Sequence, residues 1–174
     1  MRPRRPSRAI GVGLVIAGAT ISFSGGAAAT PADDLQAVRV VTARYHSIEQ
    51  SIKDGYSAVG EPCVTSPLGT MGIHAVNGPL VLDPTIDALH PEILLYVPDA
   101  NGAMRLVGVE YLKFDADGDL ATDDDRPTLF GQPFDGPMPG HTPTMPVHYD
   151  LHVWLWEDNP SGLFAPFNPS LSCP

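Results

Sequence analysis

The sequence predicts an α+β fold, with one N-terminal amphipathic helix and a small, mainly antiparallel sheet with long Pro/Gly-rich loops. Three features support this prediction. Helical hydrophobic spacing is confined to one early segment, and two β-prone apolar runs flank an Asn-Gly turn. In addition, most of the 17 glycines and 19 prolines follow that helical segment, where they predict turns and loops.

Residues 1–29 have the features of a secretory signal peptide. Four arginines precede an apolar run of 14 residues, and Ala27 and Ala29 form an A-x-A cleavage pattern. An uncleaved anchor is the alternative, although the run is shorter than the roughly 20 residues that a membrane span needs. We therefore expect a secreted or cell-envelope/periplasmic protein with no stable membrane span after signal cleavage, and residues 30–174 as a single globular domain.

The segment 32–56 is predicted to form the helix, because its apolar side chains recur at helical spacing. These side chains are Leu35, Val38, Val41, Tyr45, Ile48 and Ile52. Asp33 or Asp34 can cap the start of the helix, and Gly55 suits its end.

Residues 93–114 are predicted to form a β-hairpin around the sequence PDANGA, which contains Asn-Gly. In its second strand, alternation puts Val107, Val109 and Tyr111 on one face and Glu110 on the other, together with Leu106, Gly108 and Leu112. A carboxylate among apolar neighbours needs a partner, because burying a lone charge is costly.

A further strand is predicted within residues 145–160, MPVHYDLHVWLWEDNP, and its two faces differ. One face is apolar and consists of Tyr149, Leu151, Val153 and Leu155. The other carries His148, Asp150, His152, Trp154 and Trp156. The preceding segment 126–146 is too rich in proline for a helix or a central strand. We expect it to be a packed loop that covers the polar face.

The polar face predicts a site for one divalent transition metal, either zinc, copper, manganese or iron. His148 and His152 would be ligands, His74 and Glu110 would complete the set, and Asp150 would orient an imidazole. In a flat strand the two strand histidines are about 13 Å apart at Cα, so a shared ion requires a bulge. The alternative is that these are separate, hydrogen-bonded polar residues.

The acidic run DADGDLATDDD offers a second candidate site, for calcium. Asp115, Asp117 and Asp119 would supply hard oxygen ligands. The run departs from the EF-hand pattern, because Gly118 is its fourth residue rather than its sixth and no glutamate closes the loop. A solvated acidic turn is the competing interpretation.

The overall charge excludes some classes of partner. The part of the chain after residue 29 keeps all 20 acidic side chains but six of the ten bases, a net charge near −14. Such a surface repels nucleic acid and anionic lipid, so we expect neither as a partner.

The two cysteines, Cys63 and Cys173, are predicted to form a disulfide if the chain is exported. The loop that this bond closes is long enough for a stabilisation of about 4–5 kcal/mol on the chain-entropy model. A reactive cysteine beside a histidine is the alternative.

These features predict an exported single-domain protein with a metal- or small-ligand-binding site built on His, Asp and Glu residues. The alternative is a non-catalytic extracellular binding module, in which Trp154, Trp156 and the loop 126–146 recognise a glycan, a peptide or an envelope component. No G-x-S-x-G, Walker or G-x-G-x-x-G motif is present, so the sequence does not decide whether the protein is an enzyme.

The segment from Asp123 to Cys173 resembles a family of exported bacterial proteins of unknown function. They share a run of the form TDDDRPxLFGxPFDGPMPGHxPxMPxHYDLHVWLW. The helix, Cys63, MGIH and GVEY resemble the family more loosely. The resemblance implies export, and it implies no activity, cofactor or catalytic residue.

Overall fold

The structure, a computed structural model, describes residues 30–173, so the predicted signal peptide lies outside the described residues. The α+β prediction is confirmed. The α-helices are α1 (Pro31–Thr42), α2 (Ile48–Lys53) and α3 (Gly78–Val81). The strands are β1 (Cys63–Ser66), β2 (Gly69–Val76), β3 (Ile93–Pro98), β4 (Met104–Phe114), β5 (Thr128–Leu129), β6 (Gln132–Pro133), β7 (Asp135–Met138) and β8 (His148–Val153).

Six of the strands form one antiparallel sheet in the order β1-β2-β3-β4-β8-β7. The predicted hairpin is its centre, with β3 and β4 joined through the turn at Asn101 and Gly102. β4 also pairs with β8, so the histidine-bearing strand lies directly beside the strand that carries Glu110.

The predicted continuous helix is wrong, because the helical segment is interrupted. A 3-10 turn at Ala43–His46 follows α1, and Ser47 then adopts an extended backbone and caps α2 by accepting a hydrogen bond from the amide of Gln50. Because the helix begins again at α2, the side chains of α2 do not continue the buried stripe of α1. Ile52 is therefore 62 % exposed. The N-cap of α1 is Thr30, which forms a capping box with Asp33.

The sheet has two covered faces. The helix face packs against α1 and the 3-10 turn, and its buried side chains include Val38, Tyr45, Leu94, Tyr96, Val109, Tyr111, Tyr149 and Leu151. The opposite face, which we call the site face, has a smaller apolar cluster of Ile93, Leu95, Val97, Val107, Leu112, Trp154 and Leu171.

A bulge in β4 changes the predicted faces of that strand. Leu95 pairs with Gly108, but the next residue of β3, Tyr96, pairs with Leu106, so β4 contains one extra residue. As a result Leu106 belongs to the helix face and Val107 to the site face, the reverse of the prediction. Gly108 fits the bulge because a Cβ there would lie 2.7 Å from the carbonyl oxygen of Val153.

The segment 126–146 is more structured than a covering loop. It contains the hairpin of β5 and β6 and the edge strand β7. Phe134 is buried in the core of the helix face, where Phe130 packs beside it. Two parts of the segment reach the site face: β7 places Asp135 opposite Asp150 and Met138 opposite His148, and the stretch from His141 to Met145 lines the pocket there.

The predicted disulfide is present. Cys63 at the start of β1 is bonded to Cys173, with 6.0 Å between their Cα atoms. The bond joins the edge of the sheet to a tail whose Leu171 packs into the site face. Among residues 30–173, no helix is both long and apolar enough to span a bilayer.

Candidate metal centre

Three neighbouring regions of the site face bring His74, Glu110 and His152 together. Glu110 of β4 and His152 of β8 are directly opposite each other in the sheet. His74 comes from β2, on the other side of β3. One ligand atom from each of the three side chains lies within 4.8 Å of the other two. These residues could therefore hold a metal ion.

The close backbone of β2 and β3 helps His74 to reach the centre. Gly72 has a φ of 102°, and a Cβ at this position would lie 2.6 Å from the carbonyl oxygen of Tyr96. A larger residue would force β2 away from β3. Gly72 therefore permits the close approach of the two strands beside His74.

The ligand atoms are close together, and the contacts between them leave several of these atoms without a hydrogen bond of good geometry. Nε2 of His74 lies 3.1 Å and Nε2 of His152 3.6 Å from Oε2 of Glu110. Oε2 nevertheless has no hydrogen-bond partner, and neither ring nitrogen of His152 has one. The contact at 3.1 Å is short enough for a hydrogen bond or an ion pair. Three donor atoms this close together could also share an ion, once His152 gives up its ring proton.

Burial makes these unpaired atoms significant. The side chains of Glu110 and His152 are 3 % and 1 % exposed. Buried polar groups are almost always hydrogen-bonded in native proteins, and an unpaired one costs about 1–3 kcal/mol. Several such atoms at one place indicate a site rather than ordinary core packing.

The electrostatics of the centre favour a cation. Burial alone would raise the pKa of Glu110, but the His152 and His74 rings outweigh it and hold this pKa at about 2. Burial alone would lower the pKa of His152, but Glu110 and Asp150 raise it to about 9. Glu110 is therefore a carboxylate at neutral pH, and its charge attracts positive charge to the adjacent imidazoles.

Asp150 is located where the sequence predicts an orienting carboxylate. Its Oδ1 lies 3.7 Å from Nδ1 of His152, and both atoms are buried and unpaired. This distance exceeds a hydrogen bond. With Nε2 directed at an ion, Nδ1 carries the ring proton, and Asp150 is the nearest acceptor for it.

His148, the fourth predicted ligand, is not part of the group of atoms within 4.8 Å. Its Nδ1 lies 3.2 Å from the carbonyl oxygen of Pro146, to which it can only donate. Its Nε2 is buried without a partner, and its ring lies 4.8 Å from that of His141. Burial lowers the pKa of His148, which favours the neutral ring.

A pocket of about 570 Å³ opens beside the centre. Its polar lining consists of His74, Glu110, His141, Thr142 and Glu61. Its apolar lining includes Met71, Val76, Ile93, Leu112, Phe114 and Met145. The side chain of His74 is 16 % exposed, whereas that of His152 is 1 % exposed. A ligand from solvent would therefore approach the centre from the His74 side.

The sequence analysis missed His141 as a pocket residue. It is exposed, but its ring lies against His148 and lines the pocket. A histidine seven residues before β8 carries no periodic signal that would connect it with the sheet.

The two tryptophans are on different faces. Trp154 is 3 % exposed and donates its Nε1 hydrogen to the carbonyl oxygen of Ala165 at 2.6 Å. It lines a separate pocket of about 400 Å³ beside Asn159. Trp156 packs on the helix face, with the Arg39 guanidinium 4.4 Å from its ring centre. The predicted alternation fails here because β8 ends at Val153.

The carboxylates of the acidic run cap their own turn. Oδ1 of Asp115 accepts hydrogen bonds from the amides of Asp117 and Gly118, and Oδ1 of Asp117 accepts one from the amide of Asp119. Between residues 30 and 173, these aspartates do not form a group of three converging ligands. The geometry favours the acidic turn over the calcium site.

No protein-family model matches this chain, and neither does any curated protein or solved structure. The function is therefore argued from the geometry of the site.

Proposed function

We propose that the chain is an exported protein that binds one divalent transition metal through His74, Glu110 and His152. The observation that carries this proposal is the convergence of buried atoms that lack hydrogen bonds, with all three ligand atoms within 4.8 Å of one another. A hydrogen-bonded core cluster would have its donors directed at its acceptors.

The donor set supports a metal of the zinc or iron type. Two imidazole nitrogens and one carboxylate oxygen are the protein ligands of many catalytic zinc sites and of non-haem iron(II) sites. Copper and manganese accept the same donor types. Three protein ligands leave a position for an exogenous group, and the pocket lies on that side of the centre. A metal with such an open position can act as a Lewis acid on a bound ligand.

Export is the second part of the proposal. The disulfide between Cys63 and Cys173 supports it, because such bonds persist mainly in oxidising compartments. The orienting role of Asp150 belongs to the same proposal, since metal-bound histidines usually donate their second ring hydrogen to a carboxylate or a carbonyl.

The test is the metal content of untagged protein recovered from the envelope or the culture medium, measured by elemental mass spectrometry. We expect close to one equivalent of zinc, iron, copper or manganese per chain. His74→Ala and Glu110→Ala should weaken binding by more than about 100-fold, since even outer partners of a ligand contribute 10–100-fold.

His148→Gln is the matched control, because it also replaces a site-face histidine but lies outside the converging group. It should keep the metal. His74→Ala is the variant that should disturb folding least, because His74 is partly exposed. A folded, metal-free wild type would contradict the metal proposal, and reduced cysteines in protein found only inside the cell would contradict export.

A further inference from the structure

The pocket beside the proposed centre has the size and position of a ligand site. Its volume is about 570 Å³, within the range of roughly 300–1,000 Å³ that is usual for small-molecule pockets. Two of the three proposed metal ligands, His74 and Glu110, are part of its wall. A molecule in the pocket would therefore contact the metal at one end.

The charges at that end favour a single negative charge on the ligand. A divalent ion with two neutral imidazoles and the Glu110 carboxylate carries a net charge of about +1, and the Asp150 carboxylate behind His152 lowers the local charge further. A carboxylate neutralises this charge and is a normal metal ligand. A second negative charge would be disfavoured, because Glu61 lies in the pocket wall and the chain as a whole has a net charge of −10.

The rest of the wall favours an apolar tail. Val76, Ile93, Leu112 and Phe114 form a continuous part of the lining, and they extend the apolar cluster of the site face. Met145 adds a flexible, polarisable side chain that can adapt to the shape of a ligand. Each methylene buried against such a wall improves affinity about fourfold.

We propose that this pocket binds a small monocarboxylic acid with an apolar tail, with the carboxylate on the metal and the tail along the wall that ends at Met145. This inference rests on the proposed metal centre. It goes beyond that centre by naming the chemical class of the ligand and by placing the ligand's tail along the wall towards Met145.

The test compares three probes on the metal-loaded protein by isothermal titration calorimetry: octanoate, acetate and 1-octanol. Octanoate should bind at least about 100-fold more tightly than acetate, which lacks the tail. It should also bind more tightly than 1-octanol, which has the tail but no carboxylate. Equal affinity for octanoate and acetate, or for octanoate and 1-octanol, would overturn the proposal.

Two methionine variants locate the tail. Met145→Gln should weaken octanoate binding at least tenfold while leaving acetate binding unchanged. Met104→Gln is the matched control, because Met104 is also half-buried but lines a different pocket, beside Tyr56 and Ala75 of the helix face. Equal losses in the two variants would overturn the proposed position of the tail.

The metal content of every sample separates the two proposals. A folded wild type without metal overturns both of them. A metal-loaded wild type that binds none of the three probes overturns the ligand and leaves the centre in place.

Discussion

On the helix face of the sheet, four buried tyrosines each donate their hydroxyl hydrogen to an identified acceptor. Tyr56 donates to Pro91, Tyr96 to Tyr45, Tyr111 to Ala88 and Tyr149 to Asp125, at distances of 2.6–2.9 Å. On the site face, polar atoms of Glu110, His148, Asp150 and His152 are equally buried and have no hydrogen-bond partner. The tyrosine hydroxyls of the first face are paired within the polypeptide, whereas the unpaired atoms of the second face could hold an ion.

Two buried glutamates illustrate how the surroundings of a buried carboxyl group determine its pKa. Glu92 has no histidine beside it, and burial raises its pKa to about 7, although its own amide and that of Leu112 oppose the shift. Glu110 is buried to a similar extent, yet His152 and His74 hold its pKa at about 2. Of these two buried glutamates, Glu110 is therefore the one that its neighbours hold as a carboxylate at neutral pH.

Replacing Glu92 should give the largest effect on stability. In the folded state its pKa is about 7, above the ordinary value near 4.5. The stability gained from the protonated carboxyl is therefore complete below about pH 4.5 and is lost as the pH rises through 7. The shift corresponds to about 3 kcal/mol. Glu92→Gln should remove this loss, so that the variant is more stable than wild type at pH 8.

Urea unfolding at pH 5 and pH 8 measures this difference. The control is Glu61→Gln, because Glu61 is exposed and should leave the pH dependence as it is in wild type. A Glu92→Gln variant with unchanged pH dependence would show that Glu92 is charged in the folded protein, and the contrast with Glu110 would disappear.

Replacing Asp150 should give the next largest effect, and this effect should be a loss of metal affinity. Asp150→Asn removes the negative charge beside Nδ1 of His152 without removing a proposed ligand. We expect the affinity to fall 10–100-fold, equivalent to about 1.4–2.7 kcal/mol, with one equivalent still bound at saturation. Competition with a chromogenic chelator measures the affinity. Asp124→Asn, an exposed aspartate, is the control, and an equal loss in both variants would argue against an orienting role.

Removing a tyrosine hydroxyl should give the smallest effect. Tyr96→Phe leaves the carbonyl oxygen of Tyr45 without its buried donor at 2.6 Å. We expect a loss of about 1–2 kcal/mol in the free energy of unfolding, from the unpaired acceptor. Metal binding should not change, because Tyr96 is on the other face of the sheet. Thermal denaturation and metal titration of the same sample check both statements, and a weakened metal site would show that the faces are coupled.

Much of the candidate site could be predicted from alternation along single strands. The pattern of β8 gave the correct faces from His148 to Trp154, and the isolated carboxylate of Glu110 indicated that it needed a partner. Which histidines converge could not be predicted, because the pairing of β4 with β8 brings Glu110 opposite His152 and leaves His148 opposite Phe114.

The errors have a common physical origin, which is a local break in a regular period. Ser47 interrupts the helix because its side chain offers a competing N-cap. Trp156 changes face because β8 ends three residues earlier, where the amide of Trp154 bonds to the carbonyl of Leu163. The bulge in β4 arises because the strand pairs with β3 in two registers that differ by one residue. The breaks in β4 and β8 follow from contacts with other parts of the chain, whereas the break at Ser47 is local.

The bulge in β4 makes the site tolerant of one change in the number of residues in the strand. Pairing with β8 fixes Glu110 opposite His152, and β4 holds one extra residue near Gly108 between this register and its pairing with Tyr96. Deleting that extra residue, Val107, would make Leu106 and Gly108 consecutive while their partners Tyr96 and Leu95 stay the same, so Glu110 would remain opposite His152. A one-residue deletion between Glu110 and Phe114 would have no extra residue to remove, and it would turn the side chains that follow it to the opposite face.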